Sequence, residues 1–167
     1  MVARLDRAVP LPKIPERTII RSLRQDEEKR LFDIVNLVFG WERLKPGFIH
    51  QSKIDSPPFA EEWIHVAEVD DKIISAVVAW PATKFNKIFR GKRGYLGPAA
   101  TLPEFRGKNL ASALTRRAMN FLFGKGVDTL ALHTQETSIP SVTLLRSLGF
   151  EIDHHWKFMR KTMPPRR

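Results

Sequence analysis

Between Tyr95 and Phe123 the apolar period changes from strand-like to helical across a short basic loop, and no other stretch constrains the fold as much. Tyr95 to Leu102 predicts a strand, which Pro103 ends. Phe105 to Phe123 predicts a helix, with Leu110, Leu114 and Phe121 on one face and Arg116, Arg117 and Asn120 pointing outward. Gly124 and Gly126 close it, and Val127 to Thr134 follows as a buried strand. A strand, a helix and a further strand in immediate succession require a sheet with a helix packed on it.

The flanking sequence extends that frame. Thr18 to Leu23 reads as a strand, with Ser22 or Asp26 placed to cap a helix from Glu27 to Phe39. Leu31, Ile34, Val35 and Val38 share one face of that helix, and Gly40 stops it. Trp41 to Ala60 carries Pro46, Gly47, Pro57 and Pro58 and reads as irregular with a short helix. Trp63 to Val69 and Ile73 to Trp80 flank Asp70-Asp71-Lys72 as a hairpin. Ser138 to Leu148 predicts a helix, and Gly149-Phe150 leads into a last strand or hairpin ending near Lys161. The order is β-α-irregular-β-β-β-α-β-α-β, an α/β chain with a mixed sheet. Residues 18–161 make one domain. Residues 1–17 read as a basic, Pro-rich, loosely held and extended arm, because Pro10, Pro12 and Pro15 oppose a helix, and residues 162–167 read as a basic tail.

Composition removes whole classes of chemistry. There is no cysteine, which excludes disulfides, thiolate metal sites and cysteine nucleophiles. His50, His65, His133, His154 and His155 show no metal-ligand spacing, so no metal is expected. No apolar run approaches the roughly 20 residues of a membrane span, and no secretory core is visible; the reading is cytoplasmic, without membrane. The formal charge of +10 favours a polyanionic partner: nucleic acid, ribosome, acidic protein or a phosphorylated cofactor. Charge alone does not choose among them.

The segment Ala99-Ala100-Thr101-Leu102-Pro103-Glu104-Phe105-Arg106-Gly107-Lys108-Asn109-Leu110-Ala111 narrows the choice. Free N–H groups in a first helical turn and the positive end of the helix dipole bind anionic oxygens, and small residues let the backbone approach. Arg106 and Lys108 add charge. This segment resembles motif A of the GNAT acetyltransferases, Q/R-x-x-G-x-G/A, here Arg106-x-x-Asn109-x-Ala111. Asn109 stands where that family usually has glycine, and asparagine is the residue other than glycine that best tolerates the left-handed region. Ser138 to Phe150 resembles motif B, N-x-x-A-x-x-L-Y-x-x-L-G-F, most clearly in Leu148-Gly149-Phe150.

The resemblance implies a mostly antiparallel, splayed sheet flanked by helices and an acetyltransferase using acetyl-CoA. It places the cofactor at Ala99, Ala100, Thr101, Arg106, Gly107, Lys108, Asn109, Leu110 and Ala111, with Ser138 and Ser141 beside it, and gives an N–H near Thr101 to the oxyanion. A lysine-like acceptor with a pKa of about 10.4 needs a base; Glu68, His133 and Glu136 are the candidates, in or just beyond strands expected to border the cleft. Leu145 occupies the position of the motif B tyrosine, which leaves Tyr95, Ser138, Ser141 or water as the proton donor, substrate-assisted chemistry, or a CoA-binding domain with little activity. The acceptor is a small-molecule or protein amine; nucleic acid is not favoured, and a homodimer is allowed. The alternatives are a noncatalytic acyl-CoA-binding or regulatory module of the same fold and, favoured only by charge, a basic nucleic-acid- or ribosome-associated domain. Trp41, Trp63, Trp80 and Trp156 are candidates for an acceptor pocket or core, and Arg90, Lys92 and Arg93 for the nucleotide 3′-phosphate, an acidic acceptor or a solvated loop.

Overall fold

The computed structural model describes residues 1–155. Six strands form one open sheet: β1 (Val2–Arg4), β2 (Ile19–Ser22), β3 (Ile64–Val69), β4 (Lys72–Pro81), β5 (Arg93–Thr101) and β6 (Thr129–Ala131). Their order is β1-β6-β5-β4-β3-β2, and every neighbouring pair is antiparallel except β5 and β6. The helices are α1 (Glu28–Phe39), α2 (Phe48–Asp55), α3 (Thr83–Phe89), α4 (Leu110–Gly124) and α5 (Ile139–Ser147). No described helix is long and apolar enough to cross a membrane.

The expected patterns explain most of the layers. Leu31, Ile34 and Val35 are buried where α1 packs on β4 and β5, and each such side chain contributes about 1.5–3 kcal/mol. Leu110, Leu114, Ala118 and Leu122 anchor α4 to the other face. Asp70 and Asp71 are both left-handed, as the two central residues of a type I′ hairpin turn must be. Gly40 ends α1 with φ 72°, its N–H donating to the Asn36 carbonyl. Neither Ser22 nor Asp26 caps that helix; Ser22 lies in β2 opposite His65, and Glu27 occupies the cap position.

Residues 1–17 depart from the loose arm expected of them. β1 pairs with β6 on one side and bridges to Glu151 on the other, burying Ala3 and Leu5. The rest of the segment follows α4: Asn120 bonds the Val9 backbone twice, at 2.7 and 2.8 Å, and Arg116 donates to the Pro10 carbonyl at 3.1 Å. The outward face of α4 is therefore covered. The expected strand beyond Glu151 lies mostly outside the described residues.

An ion-pair cluster ties β2, β3 and α1 together. Glu27, only 3% exposed, takes both arms of the Arg21 guanidinium at 2.6 and 2.7 Å, Arg30 at 2.7 Å and the Arg24 N–H at 3.0 Å. The Arg21 fork, then the Arg24 N–H and Arg30, hold the Glu27 carboxyl down from 4.5 to about 2 against the opposing effect of burial. Across the sheet, His65 is 1% exposed beneath α4, its ring 5.3 Å from Phe121, and neither ring nitrogen has a hydrogen-bond partner. Burial first and the Arg117 charge second push its pKa from 6.5 to about 3, so it packs as a neutral ring.

Both shifts make the fold acid-sensitive. The unfolded chain protonates His65 near pH 6.5 but the folded chain only near 3, so its contribution is complete above 6.5 and is lost as pH falls. Glu27 adds a second loss as pH falls from 4.5 toward 2. At about 1.4 kcal/mol per pH unit, denaturant unfolding at pH 7 and pH 5 is expected to show about 2 kcal/mol lost through His65. His65→Leu should lose about that much less over the same interval; equal losses in the two proteins would contradict the assignment.

Candidate active site

The site begins where two parallel strands part. β5 pairs with β4 from Gly94 to Thr101, but with β6 only from Arg93 to Tyr95, opposite Thr129 to Ala131. Beyond that last rung the sheet opens. The Leu102 N–H donates to the Ile74 carbonyl on β4, so strand alternation turns the backbone groups of Ala99 and Thr101 the other way, into the opening. Ala99 is exposed, and a methyl group is the largest side chain there to shield the strand edge.

A bulge shapes this edge. Val77 faces Ala99 and Ala79 faces Leu96, so β5 carries one residue more than β4 across Gly97–Pro98. Gly97 has φ 125°, a conformation that glycine adopts without a Cβ clash. The Ser75 hydroxyl bonds the Thr101 hydroxyl at 2.7 Å and donates to the Ala100 carbonyl at 2.9 Å, fixing the strand on the side away from the opening.

The loop after β5 makes a single helical turn at Pro103–Phe105 and then bends left-handed at Gly107 (φ 74°) and Asn109 (φ 61°). Asn109 thus takes the backbone conformation that its residue type tolerates. It is the N-cap of α4, its carbonyl accepting the Ala113 N–H at 2.9 Å, and no side chain caps the helix. The N–H groups of Leu110, Ala111 and Ser112 are left at the positive end of the dipole. Arg106 and Lys108 are exposed beside them, Arg106 Nε donating to the Thr101 carbonyl at 3.3 Å and Lys108 Nζ 4.8 Å from the Phe105 ring centre. A bare strand edge leading into a basic loop and an uncapped helix end fits the amide-rich arm and pyrophosphate of coenzyme A.

The sequence candidates divide on the structure. His133 and Glu136 are exposed on the segment leaving β6, the far wall of the opening. Ser138 is the N-cap residue of α5, its hydroxyl 2.9 Å from that of Ser141. Tyr95, half-buried, stands on the last rung before the strands part, opposite Trp80 and Ala131. Leu145 is buried in the core. Glu68 does not border the opening: β4 separates its strand from β5, and its carboxylate is paired with Arg21. Arg90, Lys92 and Arg93 lie at or before the start of β5, whereas the basic loop follows its end. The nine residues of the strand span about 26 Å, so these cations cannot reach phosphates at the loop. Arg93 instead stacks 4.1 Å over Phe85, its backbone bracketed by the Asn86 amide.

Of the tryptophans, Trp63 is core, edge-on to Phe121 at 5.0 Å, and Trp41 is exposed beneath Arg43; Trp156 lies outside the described residues. Trp80 packs with Phe48 at 5.9 Å and Phe59 at 6.0 Å, making an aromatic wall beside Tyr95. The sequence reading missed Phe48 and Phe59, which sit in the segment without a period.

The Acetyltransferase (GNAT) family matches residues 26–150. Human N-acetyltransferase 8B is 31% identical over 86 residues, 52% of this chain and 37% of that protein. N-alpha-acetyltransferase 30 of Schizosaccharomyces pombe is 28% identical over 91 residues, 53% of this chain and 57% of that protein. These matches span about a third to over half of the relatives' lengths. Aminoglycoside N-acetyltransferase AAC(6')-Iy in complex with CoA shares the fold with a TM-score of 0.68 at 18% identity, covering 87% of this chain and 95% of that one. The family match over most of the chain, with both motifs seated on the strand edge and helix ends just described, establishes that this chain belongs to the GNAT acetyltransferase family.

Proposed function

We propose that the chain transfers an acetyl group from acetyl-CoA to an amine held with it in one ternary complex. The observation that carries this reading is the continuous cradle from the parted edge of β5 through the left-handed loop to the uncapped start of α4. Acetyl-CoA supplies the activated thioester, and coenzyme A leaves as the thiol. The N–H groups of Leu110, Ala111 and Ser112 bind the pyrophosphate with Arg106 and Lys108, and the outward backbone groups of Thr101 and Ala99 pair with the pantetheine amides. A chain lying along β5 from its loop end then brings its reactive terminus to the bulge at Gly97–Pro98, next to Tyr95.

Tyr95 is the proton donor to the departing thiolate in this reading, in place of the phenol that Leu145 lacks. His133 or Glu136, on the opposite wall, removes the proton from the attacking amine. Half-buried Trp80 and Phe48, backed by the buried Phe59, receive the apolar part of the acceptor. The names of the relatives and fold neighbours run from an N-alpha-acetyltransferase to an aminoglycoside N-acetyltransferase, which supports an amine acceptor without choosing its size. A noncatalytic CoA-binding module is the second reading, favoured by the buried Leu145. Tight CoA binding with no turnover across small amines and peptides would select it.

Three substitutions test the site, two at the phosphate loop and one at the proposed proton donor. Gly107→Val places a β-branched residue at φ 74°, and Ala111→Leu crowds the first turn of α4. Each should weaken CoA binding by calorimetry at least about tenfold, about 1.4 kcal/mol, in proteins that still fold; unchanged affinity would mean that the phosphates bind elsewhere. Tyr95→Phe should lower kcat roughly a hundredfold while leaving the KM for acetyl-CoA nearly unchanged. An unchanged kcat would remove Tyr95 from the mechanism.

A further inference from the structure

The N-terminal segment does more than complete the sheet. After β1 it runs back along α4, held by three side chains of that helix and its cap. Asn120 grips both backbone groups of Val9, Arg116 donates to Pro10, and Asn109 Nδ2 donates to the Lys13 carbonyl at 3.3 Å. The eleven steps from Asn109 to Asn120 rise about 16 Å along the helix. The four steps from Val9 to Lys13 reach at most about 14 Å, so the segment is drawn out straight, with the asparagine side chains closing the difference. Pro10 and Pro12 favour that extended form and need no N–H partner there.

The strap ends at the phosphate loop. Asn109 is both the left-handed cap of α4 and the residue that fastens Lys13, so the position usually held by glycine here carries a side chain that reaches outward to the strap. A glycine could make the same turn but not the hydrogen bond. Lys13 is exposed, and its ammonium forms no ion pair among the described residues. Its backbone is fixed beside the helix end flanked by Arg106 and Lys108.

We propose that Lys13 is a third cation for the phosphates of coenzyme A, brought to the loop by the N-terminal strap with Asn109 as its positioning residue. The inference rests on the CoA site described above and adds to it a ligand from the opposite end of the chain. Fixing the backbone of a lysine beside an anion site lowers the entropy lost when its side chain engages. Binding of the phosphates should in turn order the strap.

Calorimetric titration of CoA and 3′-dephospho-CoA into the wild type, Lys13→Gln, Asn109→Gly and a control, Lys87→Gln, tests this, together with amide exchange at Val9, Leu11, Lys13 and Ile14. Lys87 is exposed on α3, at the far end of β5 from the loop, and reports the effect of net charge alone. Lys13→Gln should weaken CoA binding at least about threefold at low salt, with the difference closing near 1 M salt, where screening falls to about 3 Å. Lys87→Gln should match the wild type. Asn109→Gly should speed exchange in the strap and lose affinity as Lys13→Gln does, and CoA should slow strap exchange in the wild type. A penalty retained with dephospho-CoA assigns Lys13 to the pyrophosphate; one that vanishes assigns it to the 3′-phosphate. Wild-type affinity in Lys13→Gln, with strap exchange indifferent to CoA, would overturn the proposal while leaving the cofactor site standing. Failure of the wild type to bind CoA would overturn both.

Discussion

The parting of β5 from β6 after Tyr95 is the constraint on which the rest of the molecule depends. A strand in the middle of a sheet is normally bonded on both edges, and backbone donors and acceptors left without partners are costly once water is excluded. Here β4 satisfies one edge as far as Thr101, while the other loses its partner where β6 ends at Ala131. The outward backbone groups of Ala99 and Thr101 have no strand partner on that edge, where the Thr101 carbonyl accepts from Arg106 Nε. The small side chain of Ala99 and the bulge at Gly97–Pro98 leave that edge open.

Holding two strands apart requires that everything around them be fixed. The α1 layer is fastened by the cluster of Arg21, Glu27, Arg30 and Glu68, in which each buried carboxylate is paired. The α4 layer is fastened by its apolar face over Trp63 and the neutral His65 and, from outside, by residues 9–13. β1 then supports β6 from the side away from the cleft. Helix α4 therefore cannot shift without disturbing both the sheet and the strap, and its N-terminus stays aimed at the mouth of the opening.

Much of this was legible in the sequence because the relevant physics is local. The switch of period around Pro103 located β5 and α4, although the helix expected from Phe105 begins only at Leu110, after left-handed turns at Gly107 and Asn109 that apolar spacing does not register; the tolerance of asparagine for positive φ anticipated the turn at Asn109. Features that depend on distant partners were not legible. β1 is three residues long, and its only cue, Ala3 and Leu5 alternating with Arg4, is too short to separate from an arm. α3 buries none of its residues, so it carries no period to find. Glu68 looked like a catalytic candidate because its ion partner lies 47 positions away and its strand's place in the sheet was unknown. The aromatic wall beside Tyr95 joins residues from α2, the following loop and β4, a juxtaposition that only the folded chain provides.

The most direct test of the account is to follow the backbone amide resonances of the protein by NMR as acetyl-CoA is added. The largest shifts should fall on Ala99, Thr101 and the run from Gly107 to Ser112, with the amides of β2 and β3 undisturbed. Saturable shifts centred elsewhere, or none along the free edge of β5, would contradict the claim that the parted strand and the start of α4 form the cofactor site.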